Sequence, residues 1–159
     1  MLGPKHDWIE WFRRILFPFL HPALRRFGGY SIGTVGENQY VGTFDEDEEI
    51  IEQEIAATGA IRNPVAAFKT QRDGRLSEGS WAFLHKSDPS YRTEPGMQVH
   101  ITMFERRDGK PGRELYAHYE HDWRESPAEH LAEIGFDVAR GVSIAKEIVD
   151  DHTYLIRLE

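Results

Sequence analysis

Residues 96–123, GMQVHITMFERRDGKPGRELYAHYEHDW, constrain the fold of this chain more than any other stretch. Two runs that alternate in character flank a turn-rich centre, Arg107-Asp108-Gly109-Lys110-Pro111-Gly112, and that pattern predicts a β-hairpin. Side chains alternate between the faces of a strand. In the first run Val99, Ile101 and Met103 share one face, and Gln98, His100, Thr102 and Phe104 the other. In the second, Leu115, Ala117, Tyr119, His121 and Trp123 lie opposite Glu114, Tyr116, His118, Glu120 and Asp122. The apolar faces coincide when Met103 pairs with Leu115, which also pairs Ile101 with Ala117 and Val99 with Tyr119. A slip of one residue would mix the faces, so this register is preferred.

The same register places His100 opposite His118 and Thr102 opposite Tyr116. Directly opposed residues have Cβ atoms ~4.5–5.5 Å apart, within reach of a shared ligand. His100, His118 and Glu120, with Thr102 and Tyr116 beside them, are therefore candidate catalytic residues. His100, His118 and Glu120 are also candidate metal ligands. Two neutral imidazoles and a carboxylate suit a divalent metal of the zinc class, and one histidine near its ordinary pKa suits acid–base work. The same residue types are also ordinary on a solvated sheet face, and their spacing matches no strong metal motif.

The chain of 159 residues, 40% hydrophobic, fits one globular domain. With no cysteine, disulfides, thiolate nucleophiles and Cys-ligated zinc are excluded. The net charge of −8 argues against nonspecific nucleic-acid binding, which needs clustered Lys and Arg. No apolar run is long enough to span a membrane, and residues 8–20 are interrupted by Glu10, Arg13, Arg14 and Pro18, unlike a signal peptide. The expected location is the cytoplasm, or a virion if a virus encodes the chain.

Residues 1–27 read as a separate amphipathic helical segment. Asp7 and Glu10 form a capping box for a helix through residue 20, with Trp8, Trp11, Phe12, Ile15, Leu16 and Phe19 on one stripe and Pro18 kinking or ending it. This segment holds five basic and two acidic residues, a local +3 against −11 in the remainder. A basic, aromatic helix of this kind can dock on the domain's own sheet, on a protein partner or second copy, or on a membrane surface. Trp8, Trp11, Phe12 and Phe19 are the candidate interface anchors.

Residues 28–159 read as one α+β domain. A glycine-rich loop without a phosphate-binding pattern leads to a strand at residues 39–44. Asp45, with Glu48, is the expected cap of a helix that faces Ile50, Ile51 and Ile55 to the core and stops at Gly59. Asn63-Pro64 is expected to open a strand over residues 65–71, and residues 77–85 form the next. Lys69 and Trp81 are further pocket candidates. Ser126 with Glu129 caps a short helix, Asp137 caps a longer one, and residues 152–158 form a last strand. The expectation is an antiparallel meander of at least four strands with helices covering one face.

RNPVAAFK at 62–69, EGSW at 78–81, QVHITMF at 98–104 and YAHYEHDW at 116–123 together resemble small acidic proteins of halophilic archaea and their viruses, over roughly residues 40–142. That resemblance implies a shared α+β domain and supplies no catalytic residue, substrate or cofactor. His100-Ile101-Thr102-Met103 is also similar to the His-x-Thr/Ser-hydrophobic motif of the two-histidine phosphoesterases. That family needs a second, distant copy, and here the other match, His85-Lys86-Ser87, lies only fifteen residues upstream. The leading functional expectation is a nonenzymatic binding or assembly module that oligomerises through its N-terminal helix. The alternative is a metal-dependent or His-based hydrolase using His100, His118 and Glu120.

Overall fold

The structure is a computed structural model and describes residues 15–16, 19–20, 22–23, 26, 33–63, 69–87 and 92–158. Among these, six strands and three α-helices form an α+β domain. The strands are β1 (Tyr40–Phe44), β2 (Ile61–Arg62), β3 (Gly79–Leu84), β4 (Met97–Glu105), β5 (Arg113–His121) and β6 (Arg157–Leu158). The helices are α1 (Glu48–Ala57), α2 (Pro127–Leu131) and α3 (Val138–His152). All strand pairs are antiparallel, in the order β2-β3-β4-β5-β1-β6. Strands β2 to β5 form the expected meander, and β1 and β6 extend it beyond β5.

The β4–β5 hairpin adopts the expected register: Met103 pairs with Leu115, Ile101 with Ala117, Val99 with Tyr119, His100 with His118 and Thr102 with Tyr116. In β3, Trp81 and Phe83 pair with Ile101 and Val99, and Ser80 and Ala82 pair with Thr102 and His100. One face of the three central strands is thus apolar. It forms a single core with Val41 of β1, Ile51 and Ile55 of α1, and Ile144, Ala145, Ile148 and Val149 of α3.

Local chemistry shifts several boundaries. Asp47, rather than Asp45, caps α1 by accepting a hydrogen bond from the Ile50 backbone at 3.1 Å. Starting there, the helix buries Ile51 and Ile55 but leaves Ile50 exposed. Gly59 follows the helix at φ +88°, a conformation that favours glycine at a helix end. Strand β2 lies just before Asn63, whose N–H continues the ladder to the Ser80 carbonyl at 2.8 Å. The expected strand at 65–71 falls largely outside the described residues; at its end Thr70 is bridged to Thr34 and Leu76. Ser126 makes no side-chain cap, whereas Asp137 caps α3 as expected. The last strand is short because the Tyr154 and Ile156 N–H groups donate to Glu54 and Glu46 side chains, at 2.9 and 2.8 Å, instead of joining a ladder.

Two contacts place α3 relative to the hairpin. Strand β1 pairs with β5 only as far as Tyr116. Beyond that point the β5 edge is taken up by Asp137, which exchanges two backbone hydrogen bonds with Tyr119, each 2.9 Å. Four residues on, Gly141 lies against the His118 backbone so closely that a Cβ there would be 2.2 Å from the His118 carbonyl carbon. A side chain at position 141 would push α3 away from the strand that carries the histidine.

The expected anchors Trp8, Trp11 and Phe12 lie outside the described residues. Phe19 is described, helical and 77% exposed. Among the described residues no helix is long and apolar enough to cross a membrane.

Candidate metal centre

The polar face of the hairpin is buried, not solvated. His100, His118 and Glu120 are 1%, 1% and 2% exposed, comparable to the apolar residues on the other face. Gln39 covers the face from the 3₁₀ turn before β1, and Phe136 packs against His118 from the segment leading into α3, with ring centroids 4.7 Å apart. Burial of this kind obliges each polar group to find a partner.

Cross-strand pairing brings the two imidazoles together, with ring centroids 4.8 Å apart and planes at 77°. His100 Nδ1 and His118 Nε2 lie 3.2 Å apart. The Glu120 carboxylate faces both, with Oε1 3.3 Å from His100 Nδ1 and Oε2 3.1 Å from His118 Nε2. The outer nitrogens are held separately. His118 Nδ1 is 2.8 Å from Gln39 Oε1, and His100 Nε2 contacts the Ser80 hydroxyl. Gln98 Nε2 donates to Glu120 Oε1 at 2.8 Å. From α2, His130 Nδ1 reaches within 3.6 Å of Glu120 Oε2 while lying 2.8 Å from the His121 carbonyl oxygen.

The protonation pattern follows from these partners. A glutamine Oε1 only accepts, so with this amide orientation His118 carries its proton on Nδ1 and presents a lone pair at Nε2. The Ser80 hydroxyl can donate or accept, so His100 is free to carry its proton on either nitrogen. A proton on His100 Nδ1 would satisfy His118 Nε2 and Glu120 Oε1. It would leave the 3.1 Å approach of His118 Nε2 to Glu120 Oε2 as a lone pair against an anion. In this amide orientation a cation, a second proton or a metal, relieves that contact; turning the Gln39 amide so that its Nε2 donates to His118 Nδ1, with the ring proton on Nε2, relieves it too.

A second proton is disfavoured. Burial, reinforced by the charge of Lys69, lowers the His118 pKa to about 3 and moves His100 in the same direction. Burial opposes ionisation of Glu120, but hydrogen bonds donated to it from the imidazoles outweigh this and hold the carboxyl well below its ordinary value, an effect that on the His118 side needs an N–H, or a cation in its place, at Nε2. The set is therefore two neutral imidazoles and one carboxylate, the donor set of divalent transition metals. Its spacing also fits. Two tetrahedral ligands at zinc distances of ~2.0–2.2 Å stand roughly 3.3–3.6 Å apart, a few tenths of an ångström wider at most than the 3.1–3.3 Å here. Among the described residues, His100, His118 and Glu120 form such a group.

Of the five residues expected at the site, the structure gathers these three. Tyr116 is buried on the same face, but its hydroxyl donates to Glu114 Oε2 at 2.8 Å, in a network with Arg75. Thr102 pairs with Tyr116, one strand pair farther from Glu120. His85 turns its Nδ1 to the Thr93 carbonyl in the 3₁₀ turn after β3. Trp81 belongs to the apolar core on the opposite face.

Lys69 is buried near the cluster and lines a cavity of about 570 Å³ together with Gln39 and Phe136. Burial lowers its pKa to about 8, partly offset by Glu120 and Glu133. Sequence reasoning missed Gln39, Ser80 and Phe136 as partners of the histidines. Ser80 had a partial signal, since alternation along β3 sets it apart from Trp81 and Phe83. Comparison with models of known protein families, with curated proteins and with solved structures finds no match.

Proposed function

We propose that this protein binds one divalent transition metal of the zinc class through His100 Nδ1, His118 Nε2 and Glu120, and that it is a metal-dependent hydrolase. The observation that carries the reading is the 3.1 Å contact between His118 Nε2 and Glu120 Oε2, with Gln39 Oε1 facing Nδ1 on the other side of the ring. Fixing the outer nitrogen of a ligating histidine is how proteins set its tautomer for metal binding. Three protein ligands leave a fourth tetrahedral position, the count of catalytic rather than structural zinc sites. A zinc-class ion at such a position supplies water activation and polarises the bond to be cleaved. The chain's own residues orient the ligands (Gln39, Ser80, Gln98) and wall the site from bulk solvent (Phe136).

The test is metal content and zinc-induced stabilisation of the purified, untagged full chain. One metal per chain is expected. Zinc at a hundred times its dissociation constant stabilises the fold by ~2.7 kcal/mol, which raises Tm by roughly 5–10 °C for a chain of this size. Both signals should vanish in His118→Ala and weaken in Glu120→Gln. A folded wild-type chain that neither retains metal nor gains stability with zinc would overturn the reading.

The N-terminal segment supports a second role, self-association. Phe19 is 77% exposed and Ile15 46% exposed within helical turns, and large apolar side chains left in solvent mark interaction surfaces. Removing residues 1–27 is expected to lower the solution mass to that of a folded monomer. An unchanged oligomeric state would sink this role and leave the metal reading untouched.

A further inference from the structure

Seven of the ten residues from Asp45 to Glu54 are acids, and the run contains no lysine or arginine. Glu48 and Glu52 face Arg113 and Arg62, at 3.9 and 3.3 Å. Glu46 and Glu54 hold a segment from the other end of the chain. Glu54 Oε2 accepts from the Tyr154 N–H at 2.9 Å, and Glu46 Oε1 from the Ile156 N–H at 2.8 Å. These charge-assisted bonds lay residues 154–156 against α1. Ile50 stands four residues after Glu46 and four before Glu54, so the helical repeat sets it between the two acids.

Side chains alternate along the clamped segment. Leu155 packs against the apolar core, and Tyr154 and Ile156 point the other way. They are 91% and 67% exposed, and Ile50 is 46% exposed. Single apolar side chains on a surface need no explanation, but three at one junction, rimmed by carboxylates, mark an interaction surface. Arg157, the next basic residue along the segment, is turned to Asp150 at 2.8 Å. An acidic rim of this kind repels a second copy of itself and attracts a basic partner. The chain carries such a partner: residues 1–27 hold five basic and two acidic residues beside the aromatic anchors Trp8, Trp11, Phe12 and Phe19. Ile15 and Phe19, 46% and 77% exposed, are left uncovered by their own copy.

We propose that the junction between α1 and residues 154–156 is the docking surface for the N-terminal segment of a second copy of this chain. The apolar anchors of the segment cover Ile50, Tyr154 and Ile156, and its arginines meet the acids around them. The inference rests on the self-association reading above and names the surface that receives the segment. Two different surfaces meet in this contact, segment and patch, so each copy donates one and receives the other.

The test is the solution mass of the full-length chain by analytical ultracentrifugation, for the wild type and two double variants. Tyr154→Glu with Ile156→Glu alters only exposed side chains of the patch and should weaken self-association by about tenfold or more, the effect of removing central anchors. Ile15→Glu with Phe19→Glu should do the same from the segment side. Mixed in equal amounts, the two variants should pair one to one, because one keeps an intact segment and the other an intact patch. If the patch variant fails to fold, Ile50→Gln, on the α1 side of the junction, takes its place. Wild-type affinity in the patch variant would overturn the proposal. So would two variants that stay monomeric when mixed, which would mean that segment pairs with segment. A monomeric wild-type chain shows instead that the self-association reading has failed, and this assignment falls with it.

Discussion

The two faces of the β4–β5 hairpin are equally buried and are held by different physics. On one, Val99, Ile101, Met103, Leu115, Ala117 and Tyr119 join α1 and α3 in a continuous apolar core. Each side chain there gains by leaving water, with no geometric condition beyond packing. On the other, Gln98, His100, His118 and Glu120 are as inaccessible, yet each needs a specific partner to offset its lost hydration. The partners come from far along the chain: Gln39 before β1, Ser80 in β3 and His130 in α2. The apolar face accounts for folding. The polar face costs stability unless something is bound there, and that asymmetry is the strongest reason to read it as a site.

Substitutions across the two faces test the asymmetry most sharply. Ile101→Ala should destabilise the fold by roughly 2–5 kcal/mol through lost burial and a residual cavity. On the polar face, His100→Leu, His118→Leu and Glu120→Met, combined with Lys69→Met so that no charge is stranded, should be neutral or stabilising by about 1–4 kcal/mol. The combined variant should take up no zinc. Chemical denaturation of both variants measures the difference. If the combined polar-face variant loses as much stability as Ile101→Ala, the polar cluster is structural and its retention needs no ligand.

The two faces also differ in how far they can be read from sequence. Alternation and the Arg107–Gly112 turn fix the hairpin register without any tertiary information, because a slip would place Ile101 and His100 on each other's face. That register already pairs His100 with His118 and sets Glu120 on the same side. It says nothing about what lies above the face. Gln39 and Phe136 are distant in sequence from the histidines they touch, and no periodic pattern marks either. Tyr116 shows the converse limit. Alternation sets it on the polar face of the sheet, where it lies, but its hydroxyl answers Glu114 and Arg75, a choice set by neighbours that alternation does not see. The capping residue of α1 likewise turned on local competition among five consecutive acids, in which Asp47 rather than Asp45 met the Ile50 N–H.

The smallest expected effect, and one confined to the polar face, is a pH dependence. His118 has a folded pKa of about 3 against 6.5 for a free imidazole, lowered first by burial and then by the charge of Lys69. Between these values the unfolded chain binds a proton that the folded chain refuses. Stability therefore falls as pH drops below 6.5, by ~1.4 kcal/mol per pH unit for each such proton, and His100 adds in the same direction. Glu120, whose folded carboxyl lies well below 4.5, begins to contribute only below that value, where the unfolded carboxylate takes up its proton. The window from pH 6.5 to 5 thus isolates the histidines. Denaturant titrations of wild type and His118→Gln across it should differ in slope by about one proton, while Ile101→Ala should parallel the wild type at lower stability. Bound zinc should raise the wild-type curve without changing its slope in this window, since its ligands are already deprotonated in the folded chain. A wild-type stability that does not fall from pH 6.5 to 5 would mean that the buried histidines accept protons in the folded state. The cation between His118 and Glu120 would then be a proton, and the case for a metal would fall with it.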